Sequence, residues 1–174
     1  MEYISKYLSP LGGILLAADE AGLVGLWFEG QRYFAQGLSP SHKSRETPVL
    51  KETRDWLDIY FAGREPDFMP LFHLKGTAFQ IAVWEALCGI PYGQTLTYGQ
   101  IAKQLPIKQT CARAVGSAVG HNPLSILVPC HRVIGADGKL TGYAGGTAKK
   151  AALLKLEGAL PNQTDFPGKY TTPK

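Results

Sequence analysis

Between residues 78 and 120, apolar residues recur at helical spacing in three short blocks, each cut off before it can lengthen. Phe79, Ala82, Val83, Ala86, Leu87 and Ile90 follow i, i+3, i+4, i+7 spacing and predict a buried helix that Pro91 closes. Thr97, with Gln100 three residues on, forms a capping box for a shorter helix. Its apolar stripe is Tyr98, Ile101, Ala102 and Leu105, and Pro106 ends it. A third helix starts near Thr110, with Ala112, Val115, Ala118 and Val119 as its inner face. Two short helices on a tight connection, braced by a preceding helix, outline a helix-turn-helix.

The outer face of the third helix is Arg113, Gly116, Ser117 and Gly120. Glycine inside a helix costs about 0.5–1 kcal/mol relative to alanine, so a smooth face needs a reason. Two are open: close packing within the protein, or approach of the helix axis to another surface that Arg113 reaches into. A major-groove reader presents several Arg, Asn or Gln side chains to base edges. This face has one long cation, which suits a narrower groove and recognition of shape. Charge points the same way. Residues 1–75 carry 8 Lys/Arg and 10 Asp/Glu, net −2, whereas residues 76–174 carry 10 and 4, net +6. A basic second half fits either a polyanion partner or a merely soluble surface.

Residues 2–34 read as a meander of short strands, residues 35–47 as a loop. A helix then follows Thr47-Pro48, with Val49, Thr53, Trp56, Leu57, Tyr60 and Phe61 on one face and Gly63 as its stop. Residues 1–75 thus form a small α+β domain in a supporting role. Residues 76–160 form the second domain, and the polar stretch 161–174 a tail. The longest apolar run, Leu11 to Ala18, is too short to span a bilayer, and no charged start precedes a secretory leader. Three cysteines without CxxC spacing argue against a disulfide framework or thiolate metal site, and for a reduced, cytoplasmic setting.

Asn122-Pro123-Leu124-Ser125-Ile126-Leu127-Val128 reads as a turn into a buried strand that Pro129 stops, directly before Cys130, His131 and Arg132. A thiol at a rigid strand end beside an imidazole and a guanidinium is expected to have a lowered pKa. Cys88 and Cys111 read as buried structural cysteines. In extended backbone His131 projects opposite Cys130, so a relay through water is the easier geometry. The histidine needs a partner to fix its tautomer, and Asp137, Glu157 and Asp165 are the carboxylates that follow Cys130. Asp137-Gly138 has hairpin-turn chemistry between Val133-Ile134 and Leu140. Glu157 falls in the last turn of a helix from about Thr147, where a carboxylate opposes the dipole unless a cation relieves it. A screened surface glutamate fits as well. Gly142-Tyr143-Ala144-Gly145-Gly146 fails as a P-loop, since Thr147 stands where glycine is needed; a flexible turn and a pocket wall both remain.

Pro129-Cys130-His131-Arg132-Val133, preceded by Asn122-Pro123 and followed by Gly142-Tyr143-Ala144-Gly145-Gly146, resembles the O6-alkylguanine-DNA alkyltransferases, with similarity through residues 77–158. The resemblance implies a ribonuclease-H-like α/β first domain and a winged helix-turn-helix second domain that carries the active site. It implies direct repair. A monomer binds duplex DNA in the minor groove and flips the alkylated guanine. It moves the O6 alkyl group to a cysteine once, with no cofactor. Activity on O4-alkylthymine and cooperativity along DNA are left open.

By this resemblance Cys130 is the acceptor, His131 deprotonates it through water with Glu157 behind, and Asn122 supports the active-site turn. Arg113 is similar to the finger that fills the space of the flipped base, and Tyr98 to the tyrosine that aids flipping and donates to guanine N3. Tyr143 and the Ala144 amide line the pocket, and carbonyls of Cys130 and Val133 accept from the guanine amino group. Ala112, Gly116, Ser117, Thr95 and Arg132 complete the DNA contacts. Some members carry arginine at the position of Gly120, a phosphate contact that is either missing here or taken by His121. The zinc of animal members is not expected, because no cysteine precedes Cys88. Cys130 excludes the alkyltransferase-like sister group, which has tryptophan there. The rivals from other classes are a winged-helix regulator with an incidental thiol and a cysteine hydrolase, for which no oxyanion site is visible.

Overall fold

Apolar runs broken at Pro10-Leu11 and Glu20-Ala21 fold as an antiparallel meander of β1 (Tyr3–Ser9), β2 (Gly12–Asp19) and β3 (Gly22–Phe28). Asp19 closes the second turn by accepting from the Ala21 and Gly22 amides at 2.8 and 3.1 Å. Such a bond to nearby backbone is why aspartate favours turns. Residues 35–47 are not loop throughout: β4 (Lys43–Ser44) pairs in parallel with β1, giving the order β3-β2-β1-β4. Two polar residues carry no readable period. Helix α1 (Pro48–Phe61) begins under Thr47, whose hydroxyl accepts from the Leu50 amide at 3.4 Å. It buries Leu50, Thr53, Trp56, Leu57 and Tyr60 and packs against the meander. Both faces of β2 are covered, since Ile14 and Leu16 alternate with Leu15 and Ala17 and all four are buried.

The computed structural model describes residues 1–107 and 110–160. The expected tail, with Asp165, lies outside them. Contacts divide the chain into Met1–Lys75 with Pro123–Ser125, and Gly76–Asn122 with the residues from Ile126. In the second unit α2 (Ala78–Cys88) and α3 (Tyr98–Gln104) each start with a full capping box, Thr77 with Gln80 and Thr97 with Gln100. Helix α4 (Ala112–Gly120) follows α3 and buries Val115, Ala118 and Val119. Trp84 of α2 donates from Nε1 to the Ala118 carbonyl at 2.9 Å, fixing the brace to the recognition helix. Short β5 (Leu96–Thr97) pairs in parallel with β6 (Val133–Ile134), so Val133-Ile134 does not form the expected hairpin with Leu140. Asp137-Gly138 is still a turn, closed by the Gly135 amide on the Lys139 carbonyl at 2.9 Å. Helix α5 (Thr147–Leu156) packs against the turn that holds Cys130. Among the described residues no helix is long and apolar enough to cross a membrane.

Candidate active site

The segment before the cysteine is buried as expected but is not a strand. Leu124 makes one isolated bridge to Leu26, and at Ile126 the backbone turns through φ +73°. Burial alone produced the apolar run, and a short apolar run cannot by itself distinguish strand from packed turn. Cys130–Arg132 is then a single 3-10 turn, so the opposed projection expected of extended backbone does not apply. Asn122 ties the turn together: its Nδ2 donates to the Val128 carbonyl at 2.8 Å, and its side chain hydrogen-bonds the Cys130 sulfur.

Glu157 is the centre of charge. Its carboxylate accepts from His131 Nε2 at 2.6 Å, Arg132 Nε at 2.8 Å and Nη2 at 3.1 Å, and the Gly93 amide at 3.3 Å. Two buried partners, not one, relieve its place at the C-terminus of α5. Burial works to raise its pKa, but the His131 and Arg132 hydrogen bonds and charges outweigh that and hold it down at about 2. An ionised Glu157 oxygen must accept, so His131 carries its proton on Nε2 and presents a bare lone pair at Nδ1. That Nδ1 is buried and has no hydrogen-bond partner among the described residues. Burial pushes the imidazole's own pKa down, against Glu157, so the ring is neutral near pH 7. It is a base with a free site.

The thiol differs from expectation. Burial pushes Cys130 up, and the Asn122 hydrogen bond, the Lys150 charge and the turn's own amides only partly offset this. The adjacent cations do not lower it because Arg132 faces Glu157 and His131 is neutral. Cys130 is 3% exposed, whereas Cys88 and Cys111, expected to be buried, are exposed. Arg132 needs the same correction. Its Nη1 donates to the Ile90 carbonyl at 2.7 Å, and its Nε and Nη2 donate to Glu157. The guanidinium is therefore largely buried, unlike the exposed Arg113 and Ser117.

Tyr98, Ala112, Arg113, Gly116, Thr141 and Gly142 line an open groove of about 360 Å³. Ala112 is therefore on the exposed side of α4, not its inner face. Arg113 and Ser117 are exposed, Thr95 and Ala144 are half-buried, and Tyr143 and Val133 are buried. A Cβ on Gly116 would meet only the Tyr98 ring, at 3.8 Å, and one on Gly120 would meet nothing. Packing within the unit therefore does not demand the smooth face. His121 Nδ1 lies 2.8 Å from the Ser117 carbonyl. One buried residue was missed: Lys150 is 0% exposed. Its signal was present, since Lys150, Leu153, Leu154 and Glu157 share one helical face whose two ends are charged. Among the described residues no group of three or more His, Cys, Asp or Glu could hold a metal.

A helix-turn-helix and a buried thiol next in sequence to a neutral imidazole thus stand on one unit, the arrangement of a DNA-binding protein that carries a reactive-cysteine site. The profile of the 6-O-methylguanine DNA methyltransferase DNA binding domain matches residues 78–159, and that of the same family's ribonuclease-like domain matches residues 3–71. The chain belongs to the 6-O-methylguanine DNA methyltransferase family. It is 48% identical over 151 residues to the methylated-DNA–protein-cysteine methyltransferase of Mycobacterium bovis, covering 86% of this chain and 88% of that one. The protein of that name from Methanosarcina acetivorans is 46% identical over 158 residues, 90% and 99% of the two chains. Among solved structures, Mycobacterium tuberculosis OGT in complex with DNA aligns with TM-score 0.80 at 46% identity, covering 89% and 92%.

Proposed function

We propose that this protein repairs alkylated DNA directly, by moving the alkyl group from guanine O6 to Cys130. What carries the reading is the neutral His131, locked by Glu157 with Nδ1 open, on the unit that also bears the helix-turn-helix. His131 Nδ1 takes the thiol proton, through a water, as the sulfur attacks the alkyl carbon. The S–C bond forms as the C–O6 bond breaks, and guanine leaves with one proton gained, the equivalent of the thiol proton, which the imidazolium gives up through water to restore neutral His131. The thioether has no route back, so each molecule acts once. Tyr98 turns its hydroxyl from the Thr141 carbonyl to donate to N3, Tyr143 and the Ala144 amide line the base pocket, and the carbonyls of Cys130 and Val133 accept from the amino group. Residues 1–75 support residues 76–160, which bind and react. The protein works as a cytoplasmic monomer.

The test is mass spectrometry after incubation with duplex DNA containing O6-methylguanine. Each protein should gain the mass of one methylene and react no further. Continued turnover would indicate a hydrolase, and an unmodified protein bound to one preferred operator would indicate a regulator.

The minor groove is the proposed site of α4, because a face of Gly116, Ser117 and Gly120 with one cation admits close approach but little base reading. Gly116→Leu should fold normally or gain about 0.5–1 kcal/mol, since glycine is removed from a helix. Its affinity for duplex DNA should fall by about tenfold or more, about 1.4 kcal/mol. Unchanged affinity in a fluorescence-anisotropy titration would put DNA elsewhere. Extruding a base costs a few kcal/mol, which a side chain entering the stack partly offsets. Arg113 is exposed on that face and has no ion-pair partner among the described residues. Arg113→Ala should slow repair of duplex O6-methylguanine by about ten- to a hundredfold. It should spare reaction with free O6-benzylguanine, which needs no flipping. Equal slowing on both would show that Arg113 organises the active site instead.

A further inference from the structure

Between α2 and β5 the chain makes one tight turn, closed by the Gln94 amide on the Pro91 carbonyl at 3.1 Å, with Gly93 third in it at φ +81°. A positive φ at that place marks the turn type whose central peptide is flipped, and it favours glycine. The flip aims the Gly93 N–H at Glu157 Oε1, which accepts it at 3.3 Å. Glycine is needed for room as well, since a Cβ at Gly93 would stand 3.2 Å from the Glu157 backbone oxygen. The neighbours of Gly93 hold the cation that shares this carboxylate. The Ile90 carbonyl accepts from Arg132 Nη1 at 2.7 Å, and the guanidinium carbon stands 5.7 Å over the Tyr92 ring. The two oxygens of Glu157 are thereby divided. Oε1 takes Gly93 and Arg132 Nε, whereas Oε2 takes Arg132 Nη2 and His131 Nε2. A carboxylate fixed at both oxygens cannot swing away from the imidazole.

Resting on the reading of Cys130 as alkyl acceptor with His131 as its base, we propose that the Pro91–Gln94 turn positions Glu157 for the transfer. Gly93 is the positioning residue, and Tyr92 steadies Arg132 beside it. Gly93 acts through Glu157 and not on the alkyl group. Its amide keeps Oε2 on His131 Nε2 while Nδ1 takes the thiol proton, so the ring holds its tautomer and its orientation as it becomes charged.

Gly93→Ala adds the Cβ and favours the unflipped peptide, which turns the N–H away from the carboxylate. Gly30→Ala is the control for backbone strain. Gly30 has the same φ of +81° in the first unit, and a Cβ there meets nothing within 4 Å. Reaction with free O6-benzylguanine is followed to saturation, and the His131 Nε2–H proton is followed by NMR. Gly93→Ala should lower the maximal rate by about tenfold at an unchanged half-saturating concentration, because positioning is lost and the base pocket is kept. The Nε2–H resonance, deshielded by the 2.6 Å bond to Glu157, should move upfield. Gly30→Ala should match the parent in rate and resonance. A folded Gly93→Ala with the parental rate, or with the resonance in place, overturns the proposal. If Gly93→Ala does not fold, Tyr92 decides. Tyr92→Leu should show the same two changes, with about a threefold loss of rate, and Tyr92→Phe, which keeps a ring under Arg132, should rescue them. Tyr92→Leu indistinguishable from the parent overturns the proposal. A parent protein that takes no benzyl group overturns the alkyl-transfer reading instead, and the resonance still tests the positioning.

Discussion

Cys130→Ser should take no alkyl group from DNA or from free O6-benzylguanine while still binding duplex DNA. A hydroxyl is a far weaker nucleophile than a thiol because its proton is much harder to remove and its oxygen is less polarisable. Taking the proton of an alcohol asks far more of the same neutral imidazole, and displacement at an alkyl carbon favours the more polarisable sulfur. The substitution is small, and serine can still pair with the Asn122 amide, so the folded state should survive. The control uses exposure. Cys88 and Cys111 are exposed and Cys130 is buried. Iodoacetamide should therefore label the first two most readily, whereas an O6-alkylguanine should modify Cys130 alone. Peptide mapping decides between them. Alkyl transfer from O6-methylguanine to Cys88, Cys111 or the introduced serine would end the assignment.

The helix-turn-helix was legible because its signals are local. Period, capping boxes and closing prolines each act within a few residues, so α2, α3 and α4 come out close to their observed limits. The site was less so, because its bonds join residues far apart in the chain. Glu157 could be noticed as a carboxylate at the wrong end of a helix with His131 as a candidate partner, but Arg132, its second partner, emerges only when α5 docks on the cysteine turn. The thiol was misjudged for a related reason. His131 and Arg132 are sequence neighbours of Cys130, yet both point their polar atoms at Glu157. The same turn buries Arg132. Burial without regular structure misled at Leu124–Val128, since an apolar run reports being buried and not how the backbone achieves it. Roles for Tyr98, Tyr143, Ala144, Val133 and Thr95 came only from family resemblance, as no spacing distinguishes a pocket wall from a core residue.

Glu157→Gln should weaken both fold and chemistry, and pH separates the two. Glutamine leaves the Arg132 guanidinium buried without a counter-ion, a loss of about 3–5 kcal/mol in comparable buried pairs. Linkage gives a similar figure. Glu157 is held at about 2 against an ordinary value of 4.5, a difference worth about 3 kcal/mol. Because the folded value is depressed, this stability is present in full above pH 4.5 and is lost as pH falls toward about 2. The gap between parent and variant in urea denaturation should therefore be constant from pH 7 to about 5 and close on acidification, since a protonated Glu157 resembles glutamine. The glutamine carbonyl can still accept from His131 Nε2 and keep the tautomer. It cannot balance the imidazolium that forms when Nδ1 takes the thiol proton. Transfer to free O6-benzylguanine should slow by about a hundredfold or more where the variant is folded. In the parent protein the rate should persist below the ordinary histidine range, because burial holds His131 down. A Glu157→Gln variant with parental stability at neutral pH would mean that Arg132 finds another anion. One with parental rate would mean that His131 is not the base.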